Sequence, residues 1–276
     1  MGGESSEREV SLMTGQEVIK NLNPQKYEVV VVDVPKELDK VKGIDLAFLA
    51  LHGRGGEDGV IQGYLETQGI RYTGCGVTAS AVGMNKVIFR KVMINSGFLM
   101  AKETDKVPCV VKPSNGGSSV GVSIVKKEAD LKKAINEAKK YDNEVLIEEY
   151  IEGVEVSCGV LGNENPTALP VIEIRPKKEF FDYEAKYMGM SEEICPARIS
   201  PKLTGQVQEL SIKVFKAIGG KGYARVDFII KNETPYLLEI NTLPGLTANS
   251  LIPKEAKAAG IEYPELLDKI IELALT

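Results

Sequence analysis

The chain has 276 residues, 43% of them hydrophobic and 26% charged, with a formal charge of −5, a composition expected of a soluble globular protein. No apolar run approaches the roughly 20 residues needed to cross a bilayer, and the start lacks the basic-then-apolar pattern of a signal peptide. The acidic balance, with a pI of about 5.3, weighs against nucleic acid as the main partner, so neither membrane nor nucleic acid is expected and the location expected is cytoplasmic.

In chain order, "SLMTGQEVIKNL" (11–22) reads as a helix. The β-branched run "YEVVVVDV" (27–34) reads as a strand buried on both faces, and "IDLAFLALHG" (44–53) as a second. "GVIQGYLETQG" (59–69) is a helix stopped by Gly69. Strands separated by helices predict a parallel sheet. A long helix is expected over 76–97, ending at Gly97. Then the character changes. "PCVVKPSNGGSSVGVSIV" (108–125) is strand, Gly/Ser loop, strand, and a polar amphipathic helix follows at 126–141. "EVLIEEYI", "VEVSCGVLG" and "ALPVIEIRP" are strands joined by tight turns and predict an antiparallel arrangement. The stretch 177–196 has no period and is long for a plain connection, which marks it as a functional loop. A helix (201–218), the strands "ARVDFII" and "YLLEIN", and two helices complete the chain. The fold class is therefore mixed α/β, and three segments are expected, at about 1–75, 76–160 and 161–276.

The four cysteines, Cys75, Cys109, Cys158 and Cys195, are scattered, and there is one histidine. That set does not build a zinc site and predicts reduced, mostly buried thiols.

Four stretches carry chemistry. In "YLLEIN", Glu239 and Asn241 are two apart and share a strand face. Arg225 and Asp227 do the same in "ARVDFII". If the two strands form a hairpin through "KNETP", Asp227, Glu239 and Asn241 converge as hard oxygen donors suited to magnesium, which usually also binds substrate phosphates. The second stretch is "VVKPSNGGSSVGVS". It is not a Walker A loop, because no G-K-[ST] closes it. Lys112 instead ends a strand before a turn in which Gly116 and Gly117 let backbone N–H groups approach phosphate, and Ser118 and Ser119 add hydroxyl donors. The third is "LHGRGGEDG" (51–59), placed after a parallel strand where ligands of such folds bind; its His52 is open between a structural and a ligand-contacting role. The fourth is "GGESSEREVS", either a loop holding a polar small molecule or a helix-capping segment.

Taken together, "GGESSEREVSL", "ALHGRGGEDG", "VKPSNGGSSVGVS", "FDYEAKY", "ARVDF" and "LLEINTLPGLTANSL" occur in the order and spacing of one family. The chain resembles the D-alanine-D-alanine ligases of the ATP-grasp superfamily along essentially its whole length. The resemblance implies an ATP-grasp fold with an N-terminal parallel-sheet, Rossmann-like domain, a homodimer, and ATP held between two domains. It implies that Lys86, Lys112 and Lys186 contact phosphates and Ser119 lies in the phosphate loop. Glu148 and the backbone from Glu149 to Ile151 would recognise adenine, and Glu155 the ribose. Asp227, Glu239 and Asn241 would hold two magnesium ions, with manganese as a substitute. Glu7 would bind the ammonium of the first D-alanine and His52 would sit near its carboxylate. Ser118 and Tyr187 would lie close to Glu7, and Arg225 and the Gly245 N–H would stabilise an oxyanion. Ser250 and Leu251 would hold the carboxylate of the second D-alanine. Tyr187 occupies the position typical of enzymes that accept an amine as second substrate. The stretch around "FFDYEAKY" would serve as a lid.

Two departures stand out. In the family an apolar strand precedes the first Gly-Gly, whereas here Met1 does, so the geometry of Glu7 depends on how that sheet is built. The segment between Gly97 and Val107 is also short. The competing readings are another ATP-grasp carboxylate-amine ligase and a nucleotide-binding module without catalysis.

Overall fold

The computed structural model describes residues 1–176 and 191–276. Three sheets organise them. A small parallel pair joins β1 (Leu46–Ala47) to β2 (Arg71–Tyr72). A three-stranded antiparallel sheet has the order β4 (Ser123–Val125), β3 (Cys109–Pro113), β5 (Val145–Glu149). The largest sheet is antiparallel. It runs β11 (Thr234–Asn241), β10 (Tyr223–Lys231), β6 (Val154–Leu161), β8 (Ile172–Pro176), β9 (Ser191–Ile194), with β7 (Thr167–Ala168) on β6. The helices are α1 (Arg8–Asn21), α2 (Val60–Thr67), α3 (Val77–Met84), α4 (Lys86–Asn95), α5 (Glu128–Ala138), α6 (Pro201–Ala217), α7 (Leu251–Ala258) and α8 (Tyr263–Leu275).

The large sheet has two unlike faces, because its side chains alternate. Val156, Cys158 and Val160 of β6 and Ala224, Val226 and Phe228 of β10 point to one side. There they form a core with Phe215 and Val207 of α6 and Phe89 and Met93 of α4. α6 starts where Ser200 accepts a hydrogen bond from Leu203 N (3.3 Å), with proline in the first turn, a strong start signal. The opposite face carries Ser157, Gly159, Arg225 and Asp227. The small antiparallel sheet packs on α5 through Val111, Val125, Ala134 and Ala138. A third cluster joins Val18 of α1, Leu49, Leu51 and Leu65 to Ile252 of α7 and Leu266 and Ile270 of α8.

The hairpin expected through "KNETP" forms. Lys231 pairs with Thr234, and Asn232 and Glu233 between them have φ of 49° and 57°, the left-handed pair of a type I′ turn. The strand–loop–strand of 108–125 is likewise an antiparallel hairpin.

Four expectations are corrected. Residues 27–34 form no regular strand. Val29, Val30 and Val31 are exposed, and the segment is paired only near its end, where Met1 and Gly3 bond to Val32 and Val34. β-branching favoured an extended backbone, but burial needs neighbours on both sides, and the described residues supply only this short backbone contact. Of 44–53, only Leu46–Ala47 pairs as strand, with Arg71–Tyr72 as an unanticipated partner. The helix over 76–97 breaks at Asn85, whose ψ of 103° is not helical and whose Oδ1 caps α4 by accepting from Ile88 N at 2.8 Å. Within the aperiodic stretch, 191–194 is a strand, β9, on the edge of the large sheet. Residues 177–190, with Lys186, Tyr187 and the expected lid, lie outside the described residues.

Candidate active site

Two cavities meet over the polar face of the large sheet. The larger, about 980 Å³, is bounded on one side by β3 and β5 and on the other by β6, β8 and β10. Its walls include Lys86, Lys112, Ser119, Glu148, Glu149, Ile151, Glu155, Asp227 and Glu239. The smaller, about 190 Å³, is lined by Glu7, His52, Glu57, Ser118, Arg225, Asn241, Gly245, Ser250 and Leu251. Lys86, Gly116, Gly117, Ile174 and Glu239 border both. Residues separated by more than 200 positions in sequence thus surround one continuous space.

The acidic cluster follows from strand register. Asp227 of β10 stands opposite Glu239 of β11, and Arg225 opposite Asn241, so all four side chains share a face. Asp227 is buried and held three ways. Arg225 donates from Nε (2.9 Å) and Nη2 (2.6 Å), and Ser157 Oγ donates at 2.5 Å. Burial works to lower the Arg225 pKa, but the charge and hydrogen bonds of Asp227, with further help from Glu239 and Glu255, hold it above its ordinary value. Glu239 lies 3.8 Å from Lys86 Nζ. Asn241 Oδ1 accepts from Leu243 N at 2.9 Å. Two carboxylates and a carboxamide, all hard oxygen donors, fit a divalent magnesium or manganese ion. Among the described residues, no group of three His, Cys, Asp or Glu side chains forms a metal site.

The Gly/Ser loop expected to hold phosphate connects β3 to β4. Lys112, at the end of β3, is buried and paired with Glu148 of β5, with Arg90 of α4 3.9 Å from the same carboxylate. Lys86, the first residue of α4, donates to the Gly116 carbonyl. Ser118 and Ser119 have φ of 53° and 60°, unusual for residues with a side chain and frequent where a loop grips a ligand. Glu149 is tied to Lys102 through its backbone N–H and its Oε1.

The small cavity is organised around Glu7 and His52. Glu7 is 5% exposed, and Ser118 Oγ donates to its Oε2. A Cβ on Gly117 would lie 2.9 Å from Glu7 Oε1, so the Glu7 carboxylate would have to shift to admit one. The imidazole of His52 is clamped. Thr14 Oγ1 lies 2.9 Å from Nε2 and Glu57 Oε1 3.2 Å from Nδ1. Ser11 Oγ accepts from the His52 N–H, and Ser5 Oγ donates to its carbonyl. Gly245 faces this group, with space for a Cβ only 3.0 Å from Ser250 Oγ. Ser250 and Leu251 open α7, whose free N–H groups and dipole favour a carboxylate.

Sequence reasoning missed Glu57, Ser157, Arg90 and Glu255. Glu57 sits in the "HGRGGEDG" stretch, and its spacing from His52 was a usable signal. The other three reach the site only through tertiary packing and had none.

An antiparallel sheet facing a smaller antiparallel sheet across a nucleotide-sized cleft, preceded by a small parallel sheet, is the ATP-grasp fold. The D-ala D-ala ligase C-terminus family matches residues 80–272 and the D-ala D-ala ligase N-terminus family residues 35–75. The chain belongs to the D-alanine-D-alanine ligase family. It is 45% identical to the D-alanine–D-alanine ligase of Pelotomaculum thermopropionicum, over 100% of this chain and 95% of that one. Among solved structures, the D-alanine–D-alanine ligase of Bacillus anthracis complexed with ATP matches with a TM-score of 0.88 and 39% identity, covering 100% of this chain and 95% of that one. The VanG D-Ala:D-Ser ligase of Enterococcus faecalis matches with a TM-score of 0.87 and 31% identity, covering 99% and 97%.

Proposed function

We propose that the protein joins two D-alanines into D-alanyl-D-alanine with cleavage of ATP to ADP and phosphate, supplying the dipeptide for peptidoglycan precursors. The observation that carries this reading is the meeting of the two cavities at Lys86, Gly117 and Glu239. A nucleotide in the larger cleft would present its terminal phosphate to a small amino acid in the other.

In this reading Glu7, positioned by Ser118, receives the ammonium of the first D-alanine, and His52 faces its carboxylate. That carboxylate attacks the γ-phosphate, forming an acylphosphate and releasing ADP. The amine of the second D-alanine, its own carboxylate held at Ser250 and Leu251, attacks the acyl carbon, and phosphate leaves. Arg225 and the Gly245 N–H stabilise the oxyanion that develops between these events. No protein nucleophile takes part, so the chain's contribution is positioning and charge neutralisation. Magnesium at Asp227, Glu239 and Asn241, two ions in the full proposal with manganese as substitute, would offset phosphate charge. Lys112 exchanges Glu148 for phosphate as the nucleotide enters, Glu148 turning to adenine beside Glu149 and Ile151, and Glu155 to the ribose. Ser119 contributes to the phosphate loop, and Lys186 and Tyr187 belong to the lid. The divisions near 75 and 160, the homodimer and the cytoplasmic location are parts of the same proposal. No helix among the described residues is long and apolar enough to cross a membrane.

The test is phosphate release from Mg-ATP with D-alanine, with L-alanine as control and mass analysis of the product. D-alanine-dependent release with dipeptide formed supports the reading. ATP binding with no D-alanine-dependent turnover overturns it in favour of a nucleotide-binding module.

A further inference from the structure

Glu255 of α7 is fully buried against the polar face of the large sheet. Its Oε2 accepts from Gly159 N at 3.0 Å, and its Oε1 has no hydrogen-bond partner among the described residues. A buried carboxyl oxygen without a donor costs stability, and such an atom in a folded protein calls for a reason. The surroundings supply one. Gly159 stands directly opposite Arg225 in the β6–β10 register, and side chains so paired lie roughly 5 Å apart at Cβ. Gly159 has no side chain, and a Cβ there would come within 2.6 Å of Glu255 Oε2. The Glu255 carboxyl therefore fills the place beside Arg225 that a cross-strand neighbour would occupy. Burial pushes the Glu255 carboxyl well above the usual range, and the Arg225 charge is the strongest influence opposing that rise.

Arg225 lines the cavity with its side chain 12% exposed and gives two hydrogen bonds to Asp227, the residue assigned to the metal. Both Asp227 oxygens already accept from Arg225, and Oδ1 accepts from Ser157 as well, so a cation at Asp227 competes with the guanidinium for the same oxygens. We infer that Glu255 is a positioning residue, the second carboxyl partner of Arg225, whose Oε1 accepts from the guanidinium when Asp227 turns to a divalent cation. It keeps Arg225 in the cavity and frees Asp227 for the metal. The inference rests on the metal assignment above.

The decisive variant is Glu255→Gln. Its amide oxygen still accepts from Gly159 N–H, so the fold is retained, but an NH2 group then faces Arg225 and the acceptor is lost. Manganese binding in the presence of a non-hydrolysable ATP analogue, followed by electron paramagnetic resonance, should weaken about tenfold, the scale of one hydrogen bond to a charged group. The turnover number should fall comparably, with Tm close to that of the parent. Glu255→Asp, which withdraws the carboxyl by one methylene, is measured alongside and should change in the same direction. Parent-like manganese affinity and turnover in both variants, with Glu239→Ala having lost manganese binding, would overturn the role of Glu255 alone. Manganese bound by Glu239→Ala as tightly as by the parent would instead overturn the metal assignment on which it rests.

Discussion

Asp227 and Glu239 stand opposite one another across the β10–β11 pair, at the register position before the irregularity between Asp227 and Phe228. Like charges directly opposite in a sheet repel. Here Arg225 neutralises one, and Lys86 stands 3.8 Å from the other. An arrangement that needs cations to be stable is an arrangement built to receive one.

Glu239→Ala should therefore separate function from stability. Turnover in Mg-ATP is expected to fall at least ~100-fold, about 2.7 kcal/mol of transition-state stabilisation. Tm should stay level or rise, because a like-charge contact is removed. Steady-state kinetics and a thermal melt check the two halves, and near-parental turnover would defeat the metal assignment.

Lys112→Ala should raise the ATP Michaelis constant about tenfold or more, while the D-alanine constant changes little. Removing one member of a buried ion pair is costly, ~3 kcal/mol where no other partner remains. Arg90, 3.9 Å from the Glu148 carboxylate, should soften that loss. Unchanged ATP kinetics would exclude a phosphate role for this loop.

Ser118→Ala removes the hydroxyl that donates to Glu7. The expected result is a rise of roughly tenfold in the Michaelis constant for the first D-alanine, the scale of one hydrogen bond to a charged group, with ATP affinity held. A variant indistinguishable from the parent would leave Glu7 positioned by other contacts.

The thiols give a prediction independent of catalysis. Burial pushes Cys75 up to about 12 and Cys195 up to about 11, and raises Cys109 and Cys158 as well. The reactive thiolate is therefore scarce at neutral pH. Ellman's reagent at pH 8 should modify the native protein slowly, and all four cysteines promptly after denaturation. Fast native labelling of two or more would contradict this packing.

Much of the site was legible because it lies in short, local patterns. Glu239 and Asn241, and Arg225 and Asp227, are two apart on strands, and a strand's period of 2 puts each pair on one face whatever surrounds it. The Asn232–Glu233 turn then brought the two strands together as expected. Lys112 before the Gly/Ser loop was equally local. The errors came where burial depends on partners. The valines of 27–34 are extended yet exposed, since a buried strand requires a neighbour that periodicity does not name. The break at Asn85 escaped because a capping residue inside an apolar helical pattern looks like any polar position until its ψ is seen.

By itself, the amino-acid sequence determined the family, the order of most elements and the donor types at the proposed metal and phosphate positions, because each is encoded within a few consecutive residues. Only the tertiary structure decided that Glu57 clamps His52, that Gly117 lies against the Glu7 carboxylate, and that Glu255 enters the sheet face at Gly159 beside Arg225. Glu7 and Gly117 are distant in sequence, as are Glu255 and Gly159, and close packing of α1, α7 and the loop after β3 around one cavity is what places them in contact.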